Sequence, residues 1–109
     1  MNFSVVYTPE FEKEIKKLAK KYPSLHKDFS DFLKLLQQDP TQGISLGKNI
    51  YKVRLLISSK NTGKSGGARV ITYVRIFNEE VVLISIYDKS VRSTITDKEI
   101  NERLKRFLQ

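Results

Sequence analysis

The 109-residue chain, 39% apolar, is sized for one domain (1–109) with a modest core. It has no cysteine, which excludes disulfides and thiolate metal sites and suits a reducing cytoplasm. Twenty basic against twelve acidic residues give a net charge of +8, which points to a polyanionic partner.

The opening MNFSVVYTPEF has no basic and apolar signal regions, and no apolar run approaches the roughly 20 residues that span a membrane, so a cytoplasmic protein without a membrane partner is expected. Phe3, Val5 and Tyr7 alternate with Asn2, Ser4 and Val6 as in a short strand. Thr8-Pro9 has the form of a helix N-cap with proline at the first helical position. Phe11, Ile15, Leu18, Ala19 and Tyr22 then recur at helical spacing, which predicts a helix to about Lys21, stopped by Pro23. Ser24 can cap a second helix carrying Leu25, Phe29, Phe32, Leu33 and Leu36, ended by Asp39-Pro40.

Beyond it the apolar period falls to two. From Asn49 to Ile57, Tyr51, Val53, Leu55 and Ile57 take one side of a strand and Lys52, Arg54 and Leu56 the other. From Ala68 to Phe77, Val70, Thr72, Val74 and Ile76 oppose Arg69, Ile71, Tyr73 and Arg75. After a turn at 78–80, Val82, Ile84 and Ile86 are expected to oppose Leu83, Ser85, Tyr87 and Lys89. Thr96 to Glu99 reads as a capping box for a closing helix striped with Ile100, Leu104, Phe107 and Leu108. The expected class is α+β: two N-terminal helices packed on a small antiparallel sheet, with a C-terminal helix.

The charge is localised. Pro40 to Asn78 contains no acid but seven cations, Lys48, Lys52, Arg54, Lys60, Lys64, Arg69 and Arg75, while the remainder is nearly neutral. If the apolar strand faces share the core, the opposite face collects Lys52, Arg54, Arg69, Tyr73, Ser85, Tyr87 and Lys89 from three strands. Cations there can hold phosphates, and tyrosines can stack on bases or donate a proton. The outer face of any sheet is polar, but a random polar face would include acids, and this one has none. The loop SSKNTGKSGG lacks the Walker order and a following helix, which argues against a nucleoside-triphosphatase, and it is expected to carry Lys60 and Lys64 to the rim of the basic face. His26, the one histidine, falls on the second helix away from that face and reads as a surface residue. With no cysteine or histidine cluster, and with acids mainly on helices and turns, no metal or other cofactor is expected. Ser85 has no histidine near it in the pattern, so serine-hydrolase chemistry is not expected.

The segment YKVRLLISSKNTGKSGGARVITYV, followed by VVLISIYDKS, resembles the RelE/ParE superfamily of bacterial toxins, and its GKSGGARVI run looks closest to the RelE/HigB-like branch. The resemblance extends over the TPEFEKEIKKLAKKYP opening, the DP after the second helix and the closing helix. It implies a toxin of a type II toxin–antitoxin system that cuts mRNA in the ribosomal A site, partnered by a cognate antitoxin such as a helix-turn-helix or other DNA-binding protein. A ParE-like gyrase inhibitor, or an inactive RNA-binding module, is the alternative. By position, the RelE-type basic pair falls at Lys52 and Arg54, the arginine opening the next strand at Arg69 and the basic residue past the last strand at Lys89. Lys64 belongs to the longer loop of HigB-like relatives. The C-terminal tyrosine of RelE has no counterpart in Ser93-Thr94-Ile95, and Tyr87 is a candidate substitute.

Without metal, RNA is cut when its own 2′-OH attacks the adjacent phosphate. Lys52 or Lys64 is then the candidate base and Lys89 or Tyr87 the candidate acid. Arg54 and Arg69, always charged, suit stabilisation of the transition state. Lys48, Lys60, Tyr73 and Arg75 are expected to bind RNA without reacting.

Overall fold

The computed structural model describes residues 2–59 and 67–109. The elements run in the order β1 (Ser4–Tyr7), α1 (Pro9–Lys21), α2 (Leu25–Gln38), β2 (Ile44–Gly47), β3 (Ile50–Leu55), β4 (Ala68–Arg75), β5 (Glu80–Asp88) and α3 (Asp97–Leu108). The α+β class, the helical hairpin ahead of the sheet and the closing helix are as expected. The sheet is larger and mixed, in the order β1-β5-β4-β3-β2. β3, β4 and β5 form the antiparallel meander, β1 lies parallel to β5, and β2 pairs antiparallel with β3.

β2 escaped the periodicity argument because all four of its residues are exposed and only Ile44 and Leu46 are apolar. It is held by the two-residue turn Lys48-Asn49, both at positive φ (53° and 65°), the backbone of a tight hairpin.

Thr8 makes the corner between β1 and α1. Its Oγ1 accepts from the Phe11 N–H at 3.1 Å, capping the helix, and donates to the Ile84 carbonyl at 3.1 Å. Ser24 does not act as a side-chain cap for α2, contrary to expectation. Its hydroxyl donates to Asp28 at 2.7 Å instead, and the same carboxylate accepts from the Ser58 N–H and hydroxyl. The chain leaving β3 is thereby fastened to the first turn of α2.

Both faces of the sheet carry a core. One face packs against α1 and α2 through Val53, Leu55, Val70, Val81, Leu83 and Ile86, meeting Phe11, Leu25, Phe32 and Leu36. The other face was expected to be open, but it carries a second core: Ile50, Ile71, Val82, Ile84 and Tyr87 pack with Ile95, Ile100, Leu104 and Phe107. β5 is accordingly buried from Val81 through Asp88. A strand covered on both faces reads as a continuous apolar run, and VVLISI is one.

A β-bulge explains why strict alternation misassigns part of β5. Ile71 pairs with Ser85 while Thr72 pairs with Leu83, leaving Ile84 as the extra residue. Val82, Ile84, Ser85 and Tyr87 therefore share the α3 side, and Ile86 joins Leu83 on the opposite side. β5 also outruns β1, and an ion pair between the helices occupies its uncovered edge. Glu14 accepts from the Ile86 N–H at 3.3 Å, and Arg103 donates to the Ile84 carbonyl at 3.2 Å and to both Glu14 oxygens at 2.9 and 3.0 Å. Burial alone would lower the Arg103 pKa, but the hydrogen bond and charge of Glu14, with Glu10 and Glu99, hold it above its ordinary value.

Two carboxylates titrate low. Partial burial raises Asp28, but hydrogen bonds from Ser58 and Ser24 and the charge of Lys27 outweigh it. Partial burial likewise raises Glu10, and the hydrogen bond and charge of Arg106 outweigh that. A folded-state pKa below the unfolded one adds stability that is present above the unfolded value and is lost as pH falls through the folded one. Thermal unfolding should therefore begin to move down below about pH 4. Asp28→Asn should flatten that decline. An unchanged pH profile in Asp28→Asn would show that the Ser24–Ser58 bonds do not favour the charged form.

Candidate nucleic-acid interface

The register of the meander aligns Arg54 of β3, Arg69 of β4 and Tyr87 of β5 as direct cross-strand partners. Directly opposed residues lie about 5 Å apart at Cα, so the row spans roughly 10 Å. Lys52 lies two residues from Arg54, on the same face, opposite Ile71 and in the row of Ser85. Lys89 is exposed immediately beyond β5. Lys52, Arg54, Arg69 and Tyr87 are thus together on the α3 side of the sheet, with Lys89 at its end.

Exposure divides this group. Arg54 and Lys89 are exposed, and Lys52 and Arg69 are half-buried. Arg69 donates to the Ala68 carbonyl at 3.2 Å and makes no ion pair among the described residues. Gly67, at φ +132°, lets this segment pass β3 closely, since a Cβ there would meet the Leu55 carbonyl oxygen at 2.7 Å.

Tyr87 is not on an open surface, as the sequence suggested, but buried at 6% exposure. Among the described residues its hydroxyl has no hydrogen-bond partner, nor has that of Ser85. The physical reason is α3 and its approach: Ile95 and Ile100 pack over this side of β5. A buried hydroxyl without a partner forfeits about 1–3 kcal/mol, which a hydrogen bond to a ligand would restore.

The remaining expected RNA-binding residues stand apart. Arg75 is six residues along β4 from Arg69, roughly 20 Å away. The rows between hold Ile71, Ile50 and Val82, covered by Ile100 and Leu104 of α3. Arg75 is also engaged, donating to Glu80 at 3.0 Å. Tyr73 is half-buried against the second core, and Lys48 is exposed at the β2–β3 turn beside the first turn of α3. Lys60 and Lys64 lie outside the described residues. His26 is exposed on α2, away from the row.

Sequence reasoning missed Asp88. Only 4% exposed, its carboxylate accepts from the Tyr22 hydroxyl at 2.5 Å and from the Ser90 N–H and hydroxyl at 3.0 and 2.7 Å. Its carbonyl accepts from the N–H groups of Val91 and Arg92. Asp88 thereby fixes the turn that presents Lys89 and ties it to the end of α1. The signal was readable: Asp followed two residues later by Ser at a strand end is an Asx-turn sequence. Among the described residues no cluster of three metal-ligating side chains occurs, and no helix is long and apolar enough to cross a membrane.

No protein-family model matches the chain, and no curated protein matches it in sequence. Solved structures do. A double mutant of the E. coli toxin RelE in the free state aligns with a TM-score of 0.64 at 18% identity, covering 97% of this chain and 98% of that one. The isolated E. coli RelE toxin aligns at 0.59 and 18% identity, over 96% and 98% of the two chains. The intact E. coli RelBE toxin–antitoxin complex aligns at 0.56 and 18%, over 77% of this chain and 93% of that one. The two N-terminal helices, the five-stranded mixed sheet and the closing helix of this chain form a RelE-like fold.

Proposed function

We propose that this chain is the toxin of a type II toxin–antitoxin pair, acting in the cytoplasm as a ribosome-dependent, metal-independent mRNA endoribonuclease. The observation that carries the reading is the cross-strand row Arg54–Arg69–Tyr87 with Lys52 beside it and Lys89 at its end, on a RelE-like fold. The set contains four cations and no carboxylate, which suits a phosphodiester.

In this reading the 2′-OH loses its proton to a lysine, with Lys52 and Lys64 the candidates, and its oxygen attacks phosphorus. The bond from phosphorus to the 5′-oxygen breaks, leaving a 2′,3′-cyclic phosphate. Arg54 and Arg69 offset the charge that grows on the non-bridging oxygens. The leaving 5′-oxygen takes a proton from Lys89 or from Tyr87, whose buried hydroxyl has no other partner among the described residues. The partner proposed to silence the toxin is a cognate antitoxin, and the E. coli RelBE complex, which contains a protein of this fold with its antitoxin, supports that assignment.

Induced expression should arrest growth, and mapping of mRNA 5′ ends should show cuts only in translated transcripts. Co-expression of the neighbouring small reading frame should restore growth and co-purify with the toxin. Arrest without cleavage, together with inhibited gyrase supercoiling, would replace this reading with the ParE-like one.

A further inference from the structure

We propose a second RNA-binding surface: the lysine face of α1 and the groove beside it form a track for the phosphate backbone, continuous with the candidate site through Tyr87. The inference extends the RNA reading but rests on a separate part of the molecule.

By count, α1 is close to neutral, with Lys13, Lys16, Lys17, Lys20 and Lys21 against Glu10, Glu12 and Glu14. Its ion pairs separate those charges. Glu10 is engaged by Arg106 at 2.6 Å and Glu14 by Arg103 at 2.9 Å, both from α3, while Glu12 faces Lys16 at 3.8 Å. Two of the three acids are thus neutralised by another helix. Lys13, Lys17 and Lys20 are left exposed, with no ion pair among the described residues. At 100° per residue the five lysines fall within roughly 140° of arc, opposite Phe11, Ile15 and Leu18.

Lys17, Lys20 and Lys21 line a groove of about 610 Å³ between α1 and the end of β5, whose other wall includes Tyr87, Val91 and Arg92. The acids in this groove are already satisfied: Asp88 by Tyr22 and Ser90, with Lys21 at 3.8 Å, and Glu14 by Arg103. Tyr87 belongs both to this groove and to the row of Arg54 and Arg69. Lysines three and four residues apart on a helix are about 5–6 Å apart, a spacing that lets each meet a separate phosphate of one strand. Flexible point charges of this kind hold a backbone without reading sequence.

The test uses the full chain and a fluorescein-labelled single-stranded 2′-O-methyl RNA, which has no 2′-OH to attack. Lys13→Gln/Lys17→Gln/Lys20→Gln should weaken binding roughly tenfold near physiological salt and make the log–log salt dependence shallower by about 2. In a cleavage assay it should raise KM and leave kcat unchanged. Lys34→Gln/Lys98→Gln/Lys105→Gln removes the same charge from exposed positions elsewhere and should change the slope by much less. Equal effects of the two triple variants would reduce the track to net charge and overturn it. So would an unaltered slope, wild-type protein that binds no RNA, or lysine variants that lose only binding to poly-glutamate, which would indicate an acidic protein partner. The slope difference without any cleavage by the wild type would retain the track and reject the nuclease. Cleavage with an unaltered slope would do the reverse.

Discussion

Arg69→Ala is expected to lower mRNA cleavage by 10²–10³-fold while leaving the fold intact. The loss corresponds to about 3–4 kcal/mol of transition-state stabilisation, the size of effect seen when one preorganised donor to a developing oxyanion is removed. Arg69 is central in the cationic row, between Arg54 and Tyr87, and its only hydrogen bond among the described residues is to the neighbouring Ala68 carbonyl. Truncating it breaks no ion pair among the described residues. Half-buried as it is, its removal should cost stability only modestly, about 0.5–1 kcal/mol. The measurement is paired: cleavage rate and growth arrest on one side, melting temperature on the other. Near wild-type cleavage would remove Arg69 from the site. A large drop in melting temperature would make it a structural arginine.

Arg103→Ala should have the opposite profile, a large loss of stability. Arg103 is largely buried, with its side chain 13% exposed. It donates to both oxygens of Glu14 and to the Ile84 carbonyl, joining α3, α1 and the bulged part of β5. Removing one member of such a pair leaves Glu14 without its counter-charge and takes from the Ile84 carbonyl one of its two side-chain donors, the other being Thr8 Oγ1. The cost should be about 2–4 kcal/mol, somewhat below the full value for a wholly buried pair. Glu14→Gln, which keeps the shape and part of the hydrogen bonding, should cost less than Arg103→Ala. Urea unfolding of both variants checks this. An Arg103→Ala midpoint within error of the wild type would show that solvent replaces the clamp.

Cleavage should fall in Arg103→Ala too, by a different route. Ile95 and Ile100 cover Tyr87 only while α3 is docked. If so, activity should recover as temperature is lowered and the helix redocks, whereas the Arg69→Ala defect should persist at every temperature.

Much of this molecule is written locally. Thr8-Pro9, Pro23, Asp39-Pro40 and Thr96 mark helix boundaries because capping and the missing proline N–H act within a few residues. The stripes of α1 and α2 and the alternation in β3 and β4 named the faces that are buried, because burial selects side chains at the period of the backbone. Period-two reasoning also placed Lys52, Arg54 and Arg69 on one side of the sheet.

What only the tertiary structure decided depends on contacts between distant segments. The parallel pairing of β1 with β5 and the exposed edge strand β2 have no local signature. The extra residue at Ile84 is set by pairing with β4, and it shifts the second half of β5 by one face. Whether the cationic face stays open is decided by α3. Its Ile100 and Leu104 need an apolar surface, find it on Ile50, Ile71 and Val82, and so separate Arg75 from Arg69 and bury Tyr87. Charge followed the same rule. The sequence alone determined an excess of cations and its concentration between Pro40 and Asn78, since that is composition. Only folding could show that Arg103 and Arg106 take up two of the three acids of α1 and leave Lys13, Lys17 and Lys20 facing outward, because an ion pair forms by distance in space and not along the chain.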